Sequence, residues 1–203
     1  MAEKMDIEKK KCTTPEFRVS FPHVFEKHSG FEGQEAKYSI VMLFPKKTDL
    51  KELKRAAFNA ATEKWGAKEK WPKTMRMPFR DGDEKQDLAG YEGCYFVSAS
   101  SKQKPQIVSN KKVDGAFPRI EKEDELFYAG CYARATLIAF AYDKMGNKGI
   151  SFSLQNVQKI KDGEQFSGRR NADDEFDEVD DGSDDKENYN GGDTDEASDG
   201  MGF

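Results

Sequence analysis

Only two histidines and three cysteines occur among the 203 residues. His23 and His28 lie in one polar stretch, while Cys12, Cys94 and Cys131 are widely separated, so no CxxC half-site exists for zinc. Three scattered thiols are also too few for a disulfide framework, and residues 1–11 are charged throughout, without the apolar stretch of a secretory signal. A reducing cytoplasm is the expected compartment. The longest apolar runs, such as 137–141, fall far below the roughly 20 residues that span a bilayer, which argues against an integral membrane protein. GxGxxG, GxxxxGK[ST] and GxSxG are missing too, so nucleotide and acyl-transfer motifs have no foothold and no cofactor is expected.

What is present is charge, unevenly divided. The net value of −5 conceals a tail: residues 171–203 hold fourteen acids against Lys186 alone, a charge of −13, which leaves +8 on the first 170 residues. A positive body concentrates polyanions, whereas a like-charged run repels itself and stays extended. The tail has almost no apolar content to offset the entropy of ordering, so disorder is expected over 168–203. The division expected is a flexible amino terminus at 1–13, a globular domain at 14–167 and the tail.

Within the body, Phe17, Val19 and Phe21 alternate with polar residues, a strand signal interrupted by Pro22 and resuming through Val24 and Phe25. Residues 38–44 form a short apolar run ended by Pro45, which reads as a buried strand. Asp49 with Glu52 three positions on suggests a capping box, and Leu50, Leu53, Ala57, Ala60, Ala61 and Trp65 repeat at helical spacing up to Gly66. Residues 94–98 and 106–108 read as short strands. A long strand at 129–142 and another at 150–157 should form an antiparallel hairpin across the Gly- and Asn-containing segment 143–149. Five or six strands with one helix fit a small closed or half-closed β-barrel best. A β-sandwich and a doubly wound sheet are the alternatives.

Asp81, Asp83, Asp87 and Glu92 stand at positions 1, 3, 7 and 12 of a calcium loop, but Gln86 and Lys85 occupy places that need glycine and an oxygen ligand. A solvated Asp-Gly turn explains that cluster better, and one loop cannot supply the converging carboxylates of a two-metal nuclease. Nucleic-acid binding has more support, because single strands are held by rings that stack on bases and cations that follow phosphates. Three segments offer both. The first holds Trp71, Arg76, Phe79 and Arg80; the second Tyr95, Lys102, Lys104, Lys111, Lys112 and Arg119, with Phe117; the third Tyr128, Tyr132 and Arg134. On the long strand Tyr132, Arg134, Ile138 and Phe140 share one face, and an alanine-rich face with Cys131 and Leu137 opposes it, which should turn inward. Phe17, Phe21, Phe44 and Phe58 are expected in the core.

The run Tyr-Ala-Gly-Cys-Tyr-Ala-Arg at 128–134 and the run Lys-Gly-Ile-Ser-Phe-Ser-Leu-Gln-Asn-Val-Gln-Lys at 148–159, followed by Asp162-Gly163, resemble the hairpin of bacteriophage single-stranded DNA-binding proteins. Arg-Asp-Gly-Asp at 80–83 and Ala-Ser-Ser-Lys at 99–102 fit the same resemblance, which covers most of residues 14–166. It implies a mainly β, OB-fold-like five-stranded barrel with one helix between strands, binding single-stranded DNA without sequence preference in replication, recombination and repair of a phage genome in the host cytoplasm. The acidic tail ending in Phe203 is similar to the tail by which such proteins contact DNA polymerase and helicase; Asp193, Asp195, Glu196, Asp199 and Phe203 are its expected contact residues. The tail is also long enough to reach the cationic groove of its own domain and regulate it. A homodimer is compatible with the sequence. The rival readings are an acidic-tailed chaperone or DNA mimic and a metal-dependent nuclease.

Overall fold

The computed structural model describes residues 7–30, 33, 35–85, 87–144 and 146–166; the tail residues named above and the boundary near 168 lie outside them. In chain order the elements are β1 (Lys11–Thr13), β2 (Phe17–His28), β3 (Lys37–Pro45), α1 (Lys51–Trp65), β4 (Arg80–Asp81), β5 (Cys94–Ser101), β6 (Gln106–Val108), β7 (Tyr132–Lys144) and β8 (Asn147–Lys161). Within the span expected to be flexible, Lys11–Thr13 pair with Ile138, Leu137 and Thr136 of β7, so paired structure starts before residue 14.

Five strands close on themselves. β2 pairs with β3 and β3 with β5, all antiparallel; β5 meets β8 in parallel; β8 pairs with β7, and β7 returns to β2. This is the five-stranded OB-fold arrangement. β1, β4 and β6 extend it at the edges of β7, β5 and β8, so the expected strand at 106–108 exists but lies outside the ring. The hairpin strands run longer than expected: Asp143 pairs with Lys148 and Lys144 with Asn147, which confines the turn to two residues.

Alternation along β7 explains the closure. Ala133, Ala135, Leu137 and Ala139 are buried while Arg134 and Phe140 are exposed, and small inward side chains let the ring close tightly. α1 buries Leu53, Ala56, Ala57, Ala60 and Ala61 and packs chiefly against β7, so small side chains line both sides of the contact. Phe17, Ile40, Met42, Phe44, Val97, Phe152 and Leu154 fill the interior, with the Phe17 and Phe44 rings edge to face at 5.7 Å.

Three expectations need correction. Phe21 is 46% exposed because a β-bulge follows Ser20, and its φ of 44° takes it out of the alternation that would turn it inward. Phe58 is 48% exposed on the solvent side of α1, its ring 5.1 Å from that of Trp71. The capping box at α1 does not form: Asp49 Oδ1 accepts the Lys51 amide at 2.9 Å, while Glu52 pairs with Arg55 instead of reaching back.

Candidate nucleic-acid interface

The register places a row of side chains round the outside of the ring. Lys161 faces Tyr132, Tyr132 faces Arg18, Arg18 faces Leu43, Leu43 faces Phe96 and Phe96 faces Arg80. Each cation of the row lies close to a ring, either one within the row or, for Arg18, that of the adjoining Phe166. Lys161 Nζ lies 4.5 Å from the Tyr132 ring centre, Arg18 lies 4.2 Å from that of Phe166, and Arg80 lies 4.4 Å from that of Phe96. Arg80 also donates to Ser98 Oγ at 2.8 Å.

Beside this row the surface of β3 and β5 is built from small groups. Val41 faces Ser98 and Ser39 faces Ser100, all half-buried, with Ser20 and then the bulged, exposed Phe21 along the β2 side. Small side chains let a ligand backbone approach a sheet closely, and the surface of the second and third strands is where OB-folds take oligonucleotides. Leu43, Tyr91 and Phe96 form a separate apolar cluster at one end, where the 81–93 segment folds over the sheet and Tyr91 meets Ser20 Oγ at 3.3 Å. The long irregular stretch before β5 therefore builds one wall of the candidate site.

That wall is held by charge. Lys46 Nζ lies 2.9 Å from Asp81 and also bonds Asp83, whose other oxygen accepts the Gly93 amide at 2.7 Å. The ammonium's hydrogen bonds hold both carboxyls below the usual aspartate value and raise Lys46 in return. A lysine thus sits where the calcium or nuclease reading needs a cation, and among the described residues no cluster of three or more metal-ligating side chains occurs. Depressed carboxylate values stabilise the wall above the ordinary aspartate pKa, and that contribution is lost as pH falls through the lower folded values. The Gly93 amide is accordingly expected to keep its exchange protection down to the ordinary aspartate pKa of about 3.9 and to lose it only below that value, before the amides of β7 do. Amide exchange followed by NMR across pH 2.5–6 checks this; retention of Gly93 protection throughout would refute it.

The residues singled out from sequence divide among several places. Arg80, Tyr132 and Arg134 reach the outer surface, Arg134 donating through Nε to Gln158 at 2.7 Å. Arg76 is exposed beside the hairpin, its amide bonded to Lys148 O at 2.9 Å. Trp71 packs against the core and donates to Gly66 O at 3.0 Å, and Phe79 stands edge-on to buried Phe152 at 6.2 Å, so both rings are engaged in packing. Tyr95 packs on the core beneath Lys46, whose Nζ is 5.8 Å from its ring centre. Tyr128 donates to Asp162 at 3.0 Å beside Lys159. Lys102 and Lys104 pair with Glu35 and Glu121 at 2.7 and 3.3 Å. Lys111, Lys112 and Arg119 stand on a projecting segment after β6. Sequence reading passed over Arg18 and Ser98 and placed the exposed Phe21 in the core, while Phe96, buried beneath Arg80, only supports that guanidinium; the lone charge of Arg18 between Phe17 and Val19 was the available signal.

Burial pushes the Cys12 thiol up to about 11 and raises Cys131 and Cys94 as well, opposite to the direction of an activated nucleophile. No helix among the described residues is long and apolar enough to cross a membrane.

Ring topology, a small-residue surface on β3 and β5 and a surrounding band of cations and rings define an OB-fold protein. The chain belongs to the family described as Enterobacter phage Enc34, ssDNA-binding protein, whose model matches residues 10–187. It is 38% identical over 173 residues to "Putative protein p50" of Acyrthosiphon pisum secondary endosymbiont phage 1, covering 80% of this chain and 90% of that one. Its fold resembles the single-stranded DNA-binding protein from bacteriophage Enc34 in complex with ssDNA, with a TM-score of 0.65 and 26% identity over 78% of this chain and 90% of that one. A single-stranded DNA-binding protein encoded by bacteriophage T7 shares the fold at a TM-score of 0.52 and 13% identity, covering 80% of this chain and 98% of its own.

Proposed function

We propose that this chain binds single-stranded DNA without sequence preference and serves replication, recombination and repair of a phage genome. Family membership carries the reading, together with the likeness to an Enc34 protein solved with ssDNA. The outer surface supplies the physical means: Arg80, Arg134 and neighbouring lysines for phosphates, small groups on β3 and β5 for close approach, and the open ring of Phe21 for a base. No covalent step is involved; the protein acts by occupying exposed strands. The acidic tail regulates that occupancy by competing for the same cations, and its end recruits replication proteins such as a polymerase or helicase. An aromatic ring beside a terminal carboxylate, as at Phe203, suits an apolar pocket rimmed by Lys or Arg.

Fluorescence anisotropy of labelled oligo-dT tests the reading with the full chain and with a chain ending at Arg170. Affinity is expected to fall by about 0.7 log units per log unit of salt for each phosphate contacted. Removing the tail is expected to tighten binding about threefold to tenfold at low salt, as an intramolecular competitor is lost. Salt-independent binding, or equal affinities for the two chains, would refute the electrostatic mechanism and the tail's role respectively. Failure of both chains to bind would favour a chaperone or DNA mimic acting through its tail.

A further inference from the structure

Lys111, Lys112 and Arg119 belong to a projecting arm. Residues 107–120 fold back on themselves: the Ile120 amide donates to Ile107 O at 2.9 Å, the Ser109 amide to Pro118 O at 2.9 Å, and Val113 and Ala116 exchange bonds of 2.8 and 3.1 Å. Asp114 and Gly115 take φ values of 50° and 82° at the tip, the left-handed pair that a two-residue type I′ turn requires. The root is buried at Ile107 and Ile120, whereas every residue from 110 to 119 is exposed. Two bonds between ring and arm fix the arm's direction: Gln158 Nε2 of the ring donates to Ser109 O at 2.9 Å, and Asn110 Nδ2 of the arm donates to Ile160 O at 2.7 Å.

This arm exposes groups that folding alone gives no reason to expose. Phe117 is 38% open to solvent with Lys112 Nζ 5.4 Å from its ring centre, and Lys111 and Arg119 stand on the same segment against a single acid, Asp114. At the foot lies a cleft of about 230 Å³ with Pro105, Ile107 and Ile120 among its lining and Lys104, Arg119 and Glu121 also bordering it. That volume is below the 300 to 1,000 Å³ of a site for a drug-sized ligand, and suits one flat ring entering from a charged edge. Stiff backbone, an open ring, flanking cations and a cleft of mixed lining, where Lys104 pairs with Glu121 at 3.3 Å beside Pro105, Ile107 and Ile120, are parts that can hold an unpaired base and its phosphates.

We propose that the 107–120 arm is a base clamp: one base of a bound strand stacks on Phe117, Lys112 and Arg119 contact the flanking phosphates, and a neighbouring base enters the cleft at the foot. This rests on the single-stranded DNA reading above and assigns to the arm the retention of a strand already captured by the outer surface. Dissociation, more than association, therefore depends on it.

Stopped-flow association and dissociation measured with the full chain test the clamp, using oligo-dT and an abasic strand of equal length and charge. Phe117→Ala is expected to release oligo-dT about fivefold faster or more, the effect of losing one stacked base, while associating at an unchanged rate and behaving as the wild type on the abasic strand. Phe117→Trp should restore slow release. Unchanged release from oligo-dT would overturn the clamp, as would an equal acceleration on the abasic strand, which would mean that the arm holds the DNA backbone without reading a base. A wild-type chain that binds the abasic strand but not more slowly releases oligo-dT would also overturn it. A wild-type chain that binds neither would overturn the DNA-binding reading and the clamp together.

Discussion

Arg80→Glu is expected to weaken oligo-dT binding at low salt by about 10- to 150-fold, the range for losing one hydrogen bond to a charged group. Arg80 is exposed, yet its geometry is fixed on two sides, by Ser98 Oγ at 2.8 Å and by the face of Phe96 at 4.4 Å. A guanidinium already oriented loses little further freedom on meeting a phosphate, whereas a free surface lysine must be immobilised. A carboxylate at the same place adds repulsion to the lost contact, so the reversal should exceed Arg80→Ala. The salt slope should fall by about 0.7 for the one phosphate given up. Lys54→Glu makes the same charge change on α1, which packs on β1, β7 and β8, and should leave affinity within about threefold at moderate salt, where long-range fields are screened. Equal losses for the two reversals, both measured at the same moderate salt, would mean that only net charge matters and that Arg80 contacts no phosphate.

The elements carried by local periodicity were legible in the sequence. Alternation on β7 was readable because Ala133, Ala135, Leu137, Ala139 and Ala141 stand at every second position, and the same spacing logic exposed the buried stripe of α1. Closure of the ring was not readable from such patterns. The parallel contact between β5 and β8 consists of Ala99 with Phe152 and Ser100 with Ser153, two pairs from segments about fifty residues apart, and nothing local marks either as a partner of the other. Pro22 announced an interruption of β2 but could not say that the register slips there, so alternation carried Phe21 inward when the bulge turns it out.

The candidate site shows the same limit. Grouping residues by nearness in sequence joined Trp71, Phe79 and Arg80, yet Arg80 pairs opposite Phe96 on the outer surface while Phe79 packs toward Phe152 inside. Side chains one position apart on an extended segment point to opposite faces, so proximity along the chain is a poor guide to a shared surface. The row from Lys161 to Arg80 draws on β8, β7, β2, β3, β5 and β4, and it exists only once the ring has closed. Arg18 illustrates the point: it bonds Gly130 O at 3.1 Å and Glu164 O at 2.7 Å, joining the first ring strand to the end of the domain. Gly130 permits this close passage, since its φ is 112° and a Cβ there would lie 2.0 Å from Glu164 O.

Because the outer surface depends on closure, Phe152→Ala should damage folding, and binding only through loss of the folded state. Phe152 is fully buried on β8, opposite Ala139 of β7 and Ala99 of β5, at the short parallel seam that completes the ring. Its neighbours across both strands are alanines, too small to collapse into the space a missing ring leaves, so the substitution falls in the costly range of about 3–5 kcal/mol. Against a total stability of about 5–15 kcal/mol, that loss should lower Tm by roughly 6–20 °C for a chain of this size. Circular dichroism melts of the full chain check the shift, with Phe117→Ala as the exposed-ring comparison expected to melt within about 2 °C of wild type. Binding supplies the second readout. At a temperature where the variant is still folded, its affinity for oligo-dT should be close to wild type, and it should collapse within the variant's own melting transition, because Arg80 and Ser98 hold their positions through β5. A Tm within 2 °C of wild type would mean that the seam can repack and that ring closure does not depend on Phe152.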